Sequence, residues 1–285
     1  MSGYSGGGET WDYITANVGT TYTWDGGATT GGTQNYLNNN LNWAGDIAPT
    51  SGTSTKISFD GSTRLSPDLN VDFTLNSLKF AATADAFTIN PNNNKDFIFD
   101  GIVPSLIQLS GNNQVINAPI TLNNSTFVET TGAGSLTLGG VVSGVGGFNK
   151  IGTGGSIILG GSNTYTGNTL INEGTVILTN SSALGSTVGD TTVNAGATLA
   201  LLNNISVGAE ALTLNGALVN NSGTNSYAGT ISGTGTVTVT TGGLTLSGTA
   251  ANTYTGVTTV NDGTLTLAKT AGLNAVAGNL TIGDG

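Results

Sequence analysis

The chain has 285 residues, enough to bury a sizeable core in one large all-β domain or two smaller ones. Only 8% of them are charged and the formal net charge is −10, which excludes nucleic acid as a partner, since phosphate binding needs a basic stripe and the six Lys and Arg are scattered. Histidine and cysteine are absent, excluding Ser-His-Asp and Cys-His chemistry and the usual zinc sites.

The start, MSGYSGGGET, has neither a basic n-region nor an apolar h-region. It does not read as a Sec signal peptide, and the expectation is that a signal was removed. No apolar stretch approaches the ~18 residues that span a bilayer, so no transmembrane segment is expected in this chain. All three tryptophans (Trp11, Trp24, Trp43) and all five prolines (Pro49, Pro67, Pro91, Pro104, Pro119) fall in the first 119 residues. Proline cannot donate to a central ladder, so its absence afterwards marks continuous sheet. We read 1–60 as an irregular aromatic N-terminal cap, 61–119 as the first, less regular coils, and 120–285 as a regular solenoid.

In the last region the strand signals are short period-two runs: SLTL (135–138), TVTV (236–239), LTL (244–246) and TLTL (264–267). Val or Leu points in and Thr points out, as in a sheet with one wet face. The region is also written twice. Residues 169–178 (TLINEGTVIL) match 258–267 (TTVNDGTLTL), NTYTG recurs at 163–167 and 252–256, and GVVSG (140–144) matches GTISG (229–233), each pair 89 positions apart. The long repeat is thus about 140–228 and 229–285, the second incomplete.

Within it a hydrophobic residue before an Asn or Gly turn recurs at Ile171, Val193, Leu214, Val260 and Ile282, with Val237 as the missing member. The steps of 21 to 23 residues make the long repeat about four coils and predict one inward column of these six side chains. This spacing suits a parallel β-helix, right-handed by the usual chirality of parallel crossovers. At ~4.8 Å per coil, about thirteen coils would make a rod on the order of 60 Å long.

The repeated turns carry the candidate site residues. In NTYTG these are Asn163, Tyr165 and Gly167, then Asn252, Tyr254 and Gly256. In the turns after the strands they are Asn172 with Gly174, Asn194 with Gly196, and Asn261 with Gly263. Tyr165 and Tyr254, stacked along one face, could offer sugars an aromatic platform. We read them instead as coil corners packed on their neighbours. The asparagines could coordinate a cation, but Asx-type hydrogen bonds and a stacked ladder account for them more simply.

No metal or cofactor is expected. A calcium roll needs the GGxGxDxUx pattern, whereas these turns carry Glu173, Ala195, Asp262 and Asp284 without that flanking glycine pattern. Paired-carboxylate hydrolysis needs two acids about 5–9.5 Å apart, while Glu173 and Asp262, sharing a turn four coils apart, would be roughly 19 Å apart by stacking distance. Asp60 and Asp100 lie in FDG triplets, a turn signal first. GVGGFNK (144–150) lacks the Ser or Thr and the helix of a phosphate loop.

Residues 143–185 resemble the autotransporter-associated β-strand repeat of bacterial surface-protein passenger domains, and residues 229–274 resemble it again. WDGG (24–27), NLNWAGDIAPTSG (40–52) and SLKF (77–80) look like the opening of large secreted proteins that carry such repeats. The resemblance implies a parallel β-helix displayed outside the cell, often followed by a translocator barrel that this chain does not contain. The stop at Gly285 in mid-repeat suggests a fragment. The functional expectation is an extracellular structural or adhesive solenoid at the bacterial surface, a rod, stalk or fibre subunit rather than an enzyme. Head-to-tail self-association and surface glycans are the candidate partnerships. The alternative is a polysaccharide-binding, less readily a polysaccharide-cleaving, β-helix module, with a groove of Tyr and carboxylates in the first 110 residues.

Overall fold

Short strands separated by glycine and asparagine turns wind the chain into a parallel β-solenoid with three faces. The computed structural model describes residues 19–27 and 34–283; Trp11 and Asp284 lie outside them. The first face is a ten-stranded sheet from Thr21–Trp24 to Ile231–Ser232, and the second is an eleven-stranded sheet from Asp68–Leu69 to Leu280–Ile282. The third face holds two four-stranded sheets, one ending at Val142–Gly144 and one beginning at Ser206–Val207. Every pairing between named strands is parallel, as in Thr169↔Thr191 on the first face and Val176↔Leu199 on the second.

Alternation decides which side chains meet inside. In Leu136–Leu138 and Ile157–Leu159 the two outer residues are buried and the middle one is less so, and stacked strands place like positions one above another. Each such aliphatic side chain stabilises the core by roughly 1.5–3 kcal/mol. Register partners from Lys56 onward are 19 to 24 residues apart, for example 22 between Thr169 and Thr191, which agrees with the coil length expected. One coil is wider, with Ser77↔Ser105 and Thr88↔Val115, where the loop 100–104 bulges out and leaves Ile102 exposed. The coils number about ten, not thirteen, because the opening segment spends 35 residues between Thr21 and its partner Lys56.

At the N-terminal end, Trp24 and Trp43 meet edge to face with centroids 5.3 Å apart, and Phe59, Phe80 and Phe87 continue the cluster. Trp24, Phe59 and Phe80 occupy one inward column of the first face. Trp43 Nε1 donates to Leu37 O at 2.7 Å, so this indole is buried with its polar end satisfied.

The expected six-residue column falls into three columns on two faces. Ile171, Val193 and Leu214 stack on the first face. Val260 and Ile282 stack on the second face above Val239, and Val237 belongs to the neighbouring column with Leu218 and Thr258. The cause is arithmetic. The 89-residue repeat, from Val142–Gly144 through Thr224–Tyr227, contains eleven strands and two strandless corners, thirteen segments in all. Three segments make one coil, so the repeat is four coils and one face, and its second copy begins one face further round.

Candidate functional site

The NTYTG corners are built the same way twice. Thr164 N donates to Val142 O at 2.8 Å and Thr166 N to Gly144 O at 3.0 Å; in the second copy Thr253 N donates to Ile231 O at 2.8 Å and Thr255 N to Gly233 O at 2.9 Å. Alternation then turns Asn and Tyr inward and the threonines outward. Asn163 Oδ1 accepts from Val142 N at 2.8 Å while its Nδ2 donates to Ala183 O at 2.6 Å. Asn252 does the same with Ile231 N at 2.9 Å and Ala275 O at 2.8 Å. Each amide therefore ties its own coil to the one before and the one after.

Tyr165 and Tyr254 are fully buried, and their hydroxyls share hydrogen bonds with Thr169 Oγ1 (2.6 Å) and Thr258 Oγ1 (2.7 Å). Burial holds both phenols above their ordinary pKa, the threonine bonds opposing it. They do not form the shared platform considered above: Tyr165 lies on the third face after Val142–Gly144, and Tyr254 on the first after Ile231–Ser232. Gly167 and Gly256 close the corners where a Cβ would stand 2.4 Å from Gly147 N or 2.0 Å from Gly235 O.

The turn asparagines divide. Asn194 Nδ2 donates to Asn172 Oδ1 at 2.6 Å, and Asn172 Nδ2 donates to Asn149 Oδ1, giving a ladder across three coils of the first face. Asn261 stands on the second face, exposed, and is not part of it. Gly174, Gly196 and Gly263 take φ of 69°, 85° and 131°, a backbone that side chains rarely adopt. Glu173 and Asp262 are likewise on different faces, so stacking distance does not describe their separation. Among the described residues no group of three or more acids could hold a metal ion. Asp60 accepts from Gly61 N at 2.7 Å, a turn contact.

Three ionisable side chains, Lys150, Glu129 and Glu210, are buried where the sequence reading placed none. Lys150 takes an inward position between Val128 and Ile171 and is 0% exposed. Its ammonium donates to the carbonyls of Ile151 (2.8 Å), Gly152 (2.5 Å) and Glu173 (3.2 Å). Desolvation lowers its pKa to about 8, against the opposing pull of Glu173 and Glu129. Glu129, also buried, is raised by desolvation and lowered by Lys150. The alternation Phe148-x-Lys150 is the signal that could have placed this lysine inside. Glu210 is 3% exposed, accepts from Thr191 Oγ1 at 2.8 Å, and is pushed up to about 7 by desolvation. Tyr227 OH donates to its backbone carbonyl at 3.0 Å.

The surface also carries a groove of ≈ 410 Å³ at the corner between the third and first faces, between residues 123 and 170. Its walls are asparagine amides, the Ser125 hydroxyl, glycines and the apolar Val145, Phe148 and Leu170, with neither tyrosine nor carboxylate, and it lies beyond the first 110 residues where a sugar groove was expected.

One stretch of the chain is similar to an autotransporter adhesin. Over 91 residues it is 35% identical to "Adhesin BmaC autotransporter" of Brucella suis biovar 1 (strain 1330), a match covering 32% of this chain and 2% of that protein. The chain thus spans a small fraction of the relative's length. No family model and no solved structure matches it. The similarity and the β-solenoid together agree with the resemblance to autotransporter-associated repeats.

Proposed function

We propose that this chain is part of a bacterial cell-surface β-solenoid with an adhesive or structural, non-enzymatic role, extending as a rod that holds binding surfaces away from the cell. The observation that carries this reading is the unbroken first face: ten parallel strands over one continuous hydrophobic core from Trp24 to Ile231. Such a stack lengthens by like units, each contacting only its neighbours. The partial match to an autotransporter adhesin supports a surface location. No helix among the described residues is long and apolar enough to cross a membrane. Immunogold labelling of intact cells that make the protein tests this. Label on the outer surface is expected, and label seen only after permeabilisation refutes it.

Self-association belongs to the same proposal. The last described coil exposes Leu267, Leu280 and Ile282, which with Val260 and Leu265 line an apolar cleft of ≈ 210 Å³. The next coil of a longer chain would cover that cleft; where none follows, a second copy stacking end to end would do so as an open, head-to-tail contact. Sedimentation at rising concentration is expected to show growing species. An unchanged monomer removes self-association and leaves the surface location standing.

A further inference from the structure

We propose that the groove at the corner between the third and first faces binds a neutral oligosaccharide. The inference rests on the adhesive reading and gives it a site. Three successive coils form the groove, and their backbones nest too closely for side chains to rise between them. A Cβ on Gly146 would stand 2.2 Å from Asn124 O, and one on Gly167 would stand 2.4 Å from Gly147 N. The floor is therefore bare backbone, and the recognition groups are at the rim.

Those groups are amides and a hydroxyl. The Asn123 side chain and the Ser125 hydroxyl are exposed and make no hydrogen bond among the described residues. Asn149 accepts from Asn172 and Asn168 accepts from Asp190 N at 3.2 Å, which leaves the NH₂ group of each free to donate. A carboxamide both donates and accepts, so it can bridge two neighbouring hydroxyls, the pattern a sugar ring offers. Val145, 73% exposed, lines the groove; on the flanking coils Ile102 (90% exposed) follows Gly101, whose carbonyl accepts from Asn124, and Val188 (78% exposed) precedes Gly189, which packs on Gly167, while Phe127 pairs in register with Asn149 on the adjoining face. They suit the C–H face of a pyranose. The volume lies within the ~300–1,000 Å³ usual for ligand clefts.

Two observations select this ligand class. No charged residue lines the groove and the whole chain carries −10, so an acidic glycan would find repulsion without a partner. A peptide strand would need free backbone groups, but those here are committed between coils: Gly146 N to Leu122 O at 2.7 Å, Phe148 N to Asn168 O at 2.9 Å, and Thr126 N to Gly147 O at 2.9 Å.

The test uses the 285-residue chain on an array of neutral and acidic oligosaccharides, followed by calorimetric titration with the best neutral binder. A neutral oligosaccharide is expected to bind saturably. The double variant Asn123→Ala, Ser125→Ala is expected to weaken it at least tenfold with an unchanged melting temperature, while Thr259→Ala, on the second face, leaves it unchanged. Binding of acidic glycans alone, no neutral binder at millimolar concentration, or equal binding by the double variant overturns the proposal. None of these bears on surface location, which the labelling experiment decides separately.

Discussion

Residues 163–172 and 252–261 make the same bonds on different faces of the solenoid. Thr169 N donates to Asp190 O at 3.0 Å and Thr258 N to Asn279 O at 2.8 Å; Asn172 N donates to Lys150 O at 3.0 Å and Asn261 N to Val239 O at 2.9 Å. The partners are also 89 positions apart, although the first pair of strands is on the first face and the second pair on the second. The motif therefore specifies how a segment joins the coils before and after it, and carries no information about which face it occupies. Face is set by counting segments. A third copy with the same thirteen would fall on the remaining face, so a surface encoded by the repeat would wind around the rod instead of forming a stripe.

If the corner is independent of its face, equivalent substitutions in the two copies should cost the same. Tyr165→Ala and Tyr254→Ala each remove a fully buried aromatic, and each is expected to destabilise by about 3–5 kcal/mol. Chemical denaturation of both variants is the measurement. Agreement within ~1 kcal/mol supports an autonomous corner. A much smaller cost at Tyr254 would show that the coil around it contributes less than the one around Tyr165.

The amides give the next effect. Asn163→Ala leaves Val142 N and Ala183 O without their bridge, and Asn252→Ala does the same to Ile231 N and Ala275 O. At ~1–3 kcal/mol for each stranded buried group, either change is expected to cost roughly 2–4 kcal/mol, partly relieved by water. Hydrogen exchange should locate the loss at Val142 in one variant and Ile231 in the other.

Glu210 lies in the first copy, with no second-copy position inside the chain to compare. Its folded pKa is near 7 against 4.5 unfolded, so between these values the folded chain holds a proton that the unfolded chain has released. Stability should then fall as pH rises from 4.5 to about 7, by at most ~3 kcal/mol at ~1.4 kcal/mol per unit. Glu210→Gln should flatten melting temperature across that window. An undiminished slope would assign it to other groups.

Much of this was legible because a solenoid repeats its local rules. Val-x-Leu and Leu-x-Leu alternation shows which side chains face in, and Asn-Gly turns show where strands stop. NTYTG reads as a corner from sequence, but spacing could not show that the corner at 163–167 fills a strand's place in the coil. Missing one such segment turns thirteen into twelve and makes 89 residues read as whole coils. The groove was hidden for a related reason: its residues, Asn123, Val145 and Asn168, are unremarkable in sequence and meet only because successive coils superpose. Lys150 is read from sequence only as one of six scattered bases and as the lysine of a rejected phosphate loop, because neither charge composition nor that motif says which side of a strand a residue takes.

Lys150 gives the smallest and most discriminating comparison, because its counterpart 89 residues later is Val239, inward and fully buried. The second copy thus shows that the position accepts valine. A buried charge replaced by a well-packed apolar group is often neutral or stabilising, and three carbonyl bonds to the ammonium offset its desolvation. Lys150→Val is expected to change stability by about 1 kcal/mol or less at pH 7, since shedding the desolvation cost is set against those carbonyls and the pull of Glu129 and Glu173. The pH dependence separates these contributions. With a folded pKa of about 8 and an ordinary value of 10.5, the unfolded chain keeps through that interval a proton the folded chain has lost. The parent protein should gain stability as pH rises from 8 to 10.5, while the valine variant lacks that gain. Melting curves of both proteins at several pH values across the interval would show their difference moving in favour of the parent. A difference independent of pH would mean that the ammonium is as well solvated by its carbonyls as by water, and that the two copies differ at this position in packing alone.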